Sequence, residues 1–201
     1  MNDALNHKPP SVCKAPPAAP RHVLSRGFTL IELLSVMAVS AVLLSVAMPP
    51  LTAFVNSVQL SSASNAFVSG LHLARSEAIK RNARVVVCKS ADGVVCGRTG
   101  GWEQGWIVFQ DDNNDGERDE DELIVQREQH LASSLRLVGN LNLARYVSFN
   151  PSGATQLVSG GFQAGTLTVC KQSLDGGEAR QIVLNAVGRP RVQKTVVRYC
   201  A

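Results

Sequence analysis

Residues 25–50 read SRGFTLIELLSVMAVSAVLLSVAMPP, and from Phe28 to Met48 this run is apolar apart from Thr29, Glu32 and three serines. A helix of that length extends about 30 Å, the thickness of a bilayer's hydrocarbon core. A secretory signal carries its cleavage site after the apolar region. Here Pro49-Pro50 follows without a small-x-small site, so the segment is expected to stay on the mature chain. Basic residues precede it, which directs the N-terminus to the cytoplasm and the remainder outside. Glu32 is the anomaly. A charged side chain deep in a bilayer costs roughly 2.5–3.5 kcal/mol on insertion scales, so such a group is expected to face a partner. The plainer alternative is a simple anchor with Glu32 at headgroup level.

The rest of the chain divides around this segment. Residues 1–27 hold five of the nine prolines and no apolar period, and are read as a removable leader. Residues 28–49 form the expected transmembrane and assembly helix, and residues 50–84 its amphipathic continuation. In the latter, Leu51, Phe54, Val55, Val58, Ala66, Phe67, Gly70, Leu71, Ala74 and Ala78 recur at helical spacing to about Arg81. Residues 85–201 change to short β-branched or aromatic runs: ARVVVCKS, GWIVFQDD, DELIVQRE, LRLVGN, YVSFNP, GTLTVCK, QIVLNA and VQKTVVRYC. Turn signals at Asp92-Gly93, Asn114-Asp115-Gly116, Pro151-Ser152-Gly153 and Asp175-Gly176-Gly177 separate them. The fold class expected is α+β, a long helix packed on an antiparallel β domain of two sheets. Cys88, Cys96, Cys170 and Cys200 allow three pairings, of which the neighbouring ones are simplest, and four reduced thiols are the alternative. Disulfides imply a body outside the cytoplasm.

The stretch RGFTLIELL resembles the N-terminal signature of type IV pilins and type II secretion pseudopilins. The resemblance implies cleavage by a prepilin peptidase after Gly27, methylation of the new N-terminus at Phe28, and a role for Glu32 in assembly. A new amine at Phe28 is a cation of matching sign for Glu32 of a neighbouring subunit. LHLARSEAIKRNARVVVC and GWEQGWIVFQDDNNDGERDEDELI resemble the GspH/FimT branch of minor pilins. The family likeness covers essentially everything after Arg26, although the leader is longer than the family's usual one, as a later start codon would explain. It implies a pilin-like fold, inner-membrane anchoring with a periplasmic body and later the pilus surface, and other major and minor pilins as partners.

Function is read from the opposite end. Residues 171–201 hold six basic residues against Asp175 and Glu178. Gly188-Arg189-Pro190-Arg191 presents two guanidiniums on a bent backbone, a chemistry suited to phosphate oxygens. It resembles the GRxR motif of the FimT branch, which implies double-stranded DNA as a partner and a part in natural transformation. Lys194 and Arg198 are expected to assist, with Lys171 and Arg180 widening the patch. The bland alternative is a solvated basic face on a purely structural pseudopilin. With no aromatic neighbour except Tyr199, the contact is expected to be phosphate-led and salt-dependent.

After residue 27 the chain carries 16 basic and 15 acidic residues, but residues 111–122 alone hold eight acids and one arginine. The near-neutral total hides an acidic loop and a basic remainder. Within that loop Asp111, Asn113, Asp115 and Glu122 match the spacing of an EF-hand calcium loop. Strand-like WIVF and ELIV flank it instead of helices, so an Asn/Asp/Gly hairpin is the commoner explanation. No cofactor is expected. His72 and His130 lie far apart, and no nucleophile elbow, phosphate loop or metal signature appears, so the chain is read as an assembled component and not an enzyme.

Overall fold

The computed structural model describes residues 27–200, with backbone alone at 46, 47, 49 and 50. The leader expected over residues 1–27 lies outside the described residues except for Gly27. Contacts divide the chain into two units, residues 1–46 and 47–201. Helix α1 (Leu30–Arg81) is therefore treated in two parts.

In the first unit, Thr29 is the N-cap: its hydroxyl accepts the Glu32 N–H at 3.3 Å. Thr29 and Glu32 thus have the spacing of a capping box, and the carboxylate lies in the first turn, where the helix dipole favours it. The hydroxyls of Ser35 and Ser45 donate to the carbonyls of Glu32 and Val42, which lets polar side chains sit in an apolar helix without unmet donors. The membrane-crossing helix expected over residues 28–49 includes side chains that lie outside the described ones. Among the described residues, no helix is long and apolar enough to cross a membrane, the side-chain description breaking at 46, 47, 49 and 50.

In the second unit the helix ends in a Schellman motif. Asn82 takes φ 50°, Ala83 N–H reaches the Ala78 carbonyl, and Asn82 N–H the Ile79 carbonyl. The buried stripe is Leu60, Ala63, Phe67, Leu71, Ala74 and Ala78, at three- and four-residue spacing. This corrects the sequence expectation at its start: Leu51, Phe54, Val55 and Val58 are exposed. Helical spacing continues through them, but burial begins only at Leu60.

Each of the eight β-like runs yields one strand. One antiparallel sheet has the order β3 (Ile124–Glu128), β2 (Trp106–Gln110), β1 (Val85–Lys89), β5 (Tyr146–Phe149). The other has the order β4 (Leu135–Gly139), β6 (Gly165–Lys171), β7 (Gly177–Leu184), β8 (Pro190–Val197). The helix stripe and the inner faces of both sheets bury one core. At its centre Phe67 meets Trp102 and Trp106 edge-on, with ring centroids 5.0 and 5.1 Å apart. Gly70 makes room for the Trp106 indole, since a Cβ there would lie 3.0 Å from Nε1. The Trp102 N–H donates to the Leu143 carbonyl at 2.9 Å, whereas the buried Trp106 N–H has no partner among the described residues.

Two disulfides tie the periphery to this frame. Cys88–Cys96 closes a loop beside a second apolar cluster of Val86, Ile107 and Phe109. Cys170–Cys200 joins the end of β6 to the residue run beyond β8 and packs on Ala179 of the intervening β7. On loop-closure entropy, the 30-residue link stabilises by about 3.5 kcal/mol and the 8-residue link by about 2.5 kcal/mol. In guanidinium unfolding of residues 47–201, Cys170→Ser/Cys200→Ser is therefore expected to lower the midpoint more than Cys88→Ser/Cys96→Ser.

Candidate nucleic-acid interface

The Gly188-Arg189-Pro190-Arg191 stretch covers the end of the turn between β7 and β8 and the first two residues of β8. Asn185 organises it: its carbonyl accepts the Gly188 N–H and its side-chain oxygen the Arg189 N–H, both at 2.9 Å. Gly188 has φ 74°, and a Cβ there would collide with the Gly153 carbonyl oxygen. Arg75, on the helix, donates to the Gly188 carbonyl at 3.2 Å. Pro190 opens β8, an edge strand, where a missing N–H costs the ladder little. The Arg189 side chain is exposed and, among the described residues, has no hydrogen-bond or ion-pair partner. Arg191 is exposed too and, among the described residues, reaches only Gln193, at 3.1 Å.

The six cations that the sequence groups together are dispersed by the fold. Val183 pairs with Arg191, whereas Arg180 pairs with Lys194. Side chains alternate along a strand, so Arg191 and Lys194 project from opposite faces of the sheet. Arg180 is a correction. Only 3% exposed, it donates to Glu178 at 2.8 Å and to Ser57 of the helix at 2.9 Å, so it ties sheet to helix and is closed to solvent. Lys171 donates to Asn56 at 2.9 Å. Lys171 and Arg198 lie at the end of the sheet away from the β7–β8 turn, and Arg198 is roughly 30 Å along the strand from Arg189 at about 3.3 Å per residue. The fold instead supplies Arg75, which the sequence reading missed. Its signal was its place four residues beyond Leu71, bordering the buried stripe.

The acidic loop is organised by its own backbone. Asp111, fully buried, accepts the N–H groups of Asp115 and Gly116 at 3.1 and 3.0 Å. Glu122 accepts those of Asp112 and Asp119 at 2.8 and 3.0 Å. Asn113 donates to Asp115 and Asp119. Among the described residues no group of three or more acidic, histidine or cysteine side chains is placed to hold a metal ion. Burial pushes the Asp111 carboxyl above its usual range, the Glu122 charge adding to it while the Gly116 N–H and the Arg84 charge oppose it. At the start of the described residues a Cβ on Gly27 would meet none of the others within 4 Å, Phe28 is 85% exposed, and Glu32 is exposed.

A capped apolar helix start, a helix stripe buried under two antiparallel sheets and disulfide-tied strands define a minor pilin or pseudopilin, of the type IV pilus or type II secretion kind. A family model described as Type II transport protein GspH matches residues 63–188, more than half of the chain. A second, described as Prokaryotic N-terminal methylation motif, matches residues 24–48. The chain belongs to the GspH family. Among solved structures, the type IV minor pilin FimU of Pseudomonas aeruginosa is similar with a TM-score of 0.53 at 18% identity, covering 74% of this chain and 99% of that one. The minor pseudopilin EpsH from the Type 2 Secretion System of Vibrio cholerae aligns with a TM-score of 0.47 at 16% identity, covering 67% and 96%. No curated protein matches by sequence at a significant level.

Gly188→Ala forces a side chain into a left-handed backbone and against Gly153, at a cost of about 1–3 kcal/mol. It is expected to lower the thermal midpoint, read by circular dichroism. Because folding raises the Asp111 pKa, ionisation is disfavoured in the folded state. Its contribution to stability therefore falls as pH rises from the ordinary value of 3.8 through the raised folded value, and is level above that. A thermal midpoint profile against pH is expected to lose this descending component in Asp111→Asn.

Proposed function

We propose that this chain is a minor type IV pilin that captures DNA through the β7–β8 turn, for uptake in natural transformation. The observation that supports it most is the unpaired Arg189 guanidinium on a turn fixed by Asn185, Gly188 and Arg75. None of the ion pairs among the described residues involves Arg75, Arg189 or Arg191. Such a group meets a phosphate without first breaking an internal pair, and the turn loses little freedom on binding. Arg189 and Arg191 act as phosphate clamps, Arg75 adds charge behind them, and Lys194 assists from the edge of the sheet. Contact is to the backbone and carries no sequence information.

The N-terminus serves delivery. A prepilin peptidase cuts after Gly27 and methylates Phe28, the apolar helix anchors the subunit in the inner membrane with its body in the periplasm, and Glu32 pairs with a neighbour's amine on assembly with other pilins. A purely structural, secretion-type pseudopilin is the rival reading, favoured by the family model's description.

Gel shifts with random duplex DNA at two salt concentrations separate the two. The wild type is expected to bind with an affinity that falls steeply with salt. Arg189→Ala/Arg191→Ala weakens binding across all sequences and reduces the log–log salt slope by about 2. A wild-type chain that leaves DNA unshifted at low salt is a structural pseudopilin.

A further inference from the structure

Beside the arginine turn stands a second hairpin, residues 155–163, that carries an aromatic ring into solvent. Phe162 is 83% exposed, yet the residues on either side of it are held: the Gln163 N–H donates to the Thr155 carbonyl at 3.3 Å. Gln156 and Phe162 form a bridge pair, and the Leu157 N–H to Gly161 carbonyl bond closes the turn at 2.8 Å. The Tyr146 hydroxyl accepts the Val158 N–H at 3.1 Å. The next residue, Gln163, is fully buried: its oxygen accepts the Ser148 N–H, and its amide donates to the Asn142 and Tyr146 carbonyls, each at 2.9 Å.

This hairpin and the arginine turn are one hydrogen-bonded body. The Thr155 hydroxyl lies 2.6 Å from the Gln163 carbonyl and 3.0 Å from the Asn185 carbonyl, its one proton shared between them. Thr155 N–H also reaches the Ala186 carbonyl at 3.2 Å. Thus Phe162 and Arg189 are each a few residues from the same buried hydroxyl, with Val187 59% exposed on the turn itself. The acidic loop borders the other side, since a Cβ on Gly116 would fall 2.8 Å from the Val158 side chain.

From this arrangement we infer that Phe162 is a stacking platform for an unpaired base, so that the site takes single-stranded DNA in preference to duplex. The inference rests on the phosphate-clamp reading of Arg189 and Arg191. Every unpaired base has a π-face that an exposed ring can cover, whereas the bases of a duplex are stacked on one another already. A single strand brings one phosphate backbone to the arginines. A duplex carries a second, and like-charge repulsion from residues 111–122 opposes it.

The test uses the full chain in detergent micelles, with a labelled oligothymidylate and a hairpin duplex of equal length, read by fluorescence anisotropy. The wild type is expected to bind the single strand more tightly. Phe162→Ala lowers single-strand affinity by about 5- to 150-fold and leaves duplex binding unchanged, and Phe162→Trp retains the wild-type preference. Phe162→Leu behaves as the alanine variant, because an aliphatic chain keeps apolar surface but has no π-face. Arg189→Ala/Arg191→Ala weakens both ligands. The inference is overturned if Phe162→Ala changes neither ligand or both equally, or if Phe162→Leu binds like wild type, which marks an apolar contact; the arginine clamp survives those outcomes. Loss of neither ligand in the arginine variant overturns the clamp, and the stacking role with it.

Discussion

Everything the second unit presents to solvent depends on how one helix face is covered. Phe67 stands edge-on to two tryptophans, and alanines at 63, 74 and 78 keep the rest of the stripe shallow enough for the sheets to close over it. Trp102 opens a short 3-10 turn and Trp106 is the first residue of β2, so a single aromatic cluster fixes both the helix and the start of a strand. From that cluster the arginine turn is reached in two steps. The helix carries Arg75 to the Gly188 carbonyl, and the sheet carries β7 and β8 to their shared end. Displacing the helix would therefore unseat the turn from below while leaving its ladder intact.

The turn shows how a fold converts charge into a site. Among six basic residues near the C-terminus, one is buried as a strut, one leans on the helix, and one lies near the far end of the sheet. What distinguishes Arg189 is its surroundings. A left-handed glycine, an asparagine that caps the loop and an edge-strand proline hold its backbone, while its side chain has no counter-charge among the described residues. Glu117, by contrast, pairs with Arg98 and Arg145, so those two cations share a counter-charge within the fold.

Much of the architecture was legible because its signals are local. Val85–Lys89 or Gly165–Lys171 read as strands from β-branched residues between turn residues, and the helix from its period. The N-terminal signature was legible for the same reason, and Thr29 with Glu32 could have been read as a cap from spacing alone. The failures share one cause, dependence on distant partners. Arg180 looked free because Ser57 lies 123 residues earlier in the chain. Arg191 and Lys194 looked adjacent because only pairing reveals that they face opposite ways. Phe162 has no periodic neighbours, and its importance comes from Thr155 touching two loops at once.

The Cys170–Cys200 bridge has a mechanical meaning that its thermodynamics does not express. Under the proposed capture of DNA, a load applied at the β7–β8 turn along the strands would place the ladder between β6 and β7 in shear, with its register pairs resisting together instead of opening one after another. At the opposite end the bridge fastens the chain beyond β8 to β6, past the strand between them. Tension entering at Arg189 thus finds a covalent route into the sheet in parallel with the hydrogen bonds, and β8 cannot peel away from its free end.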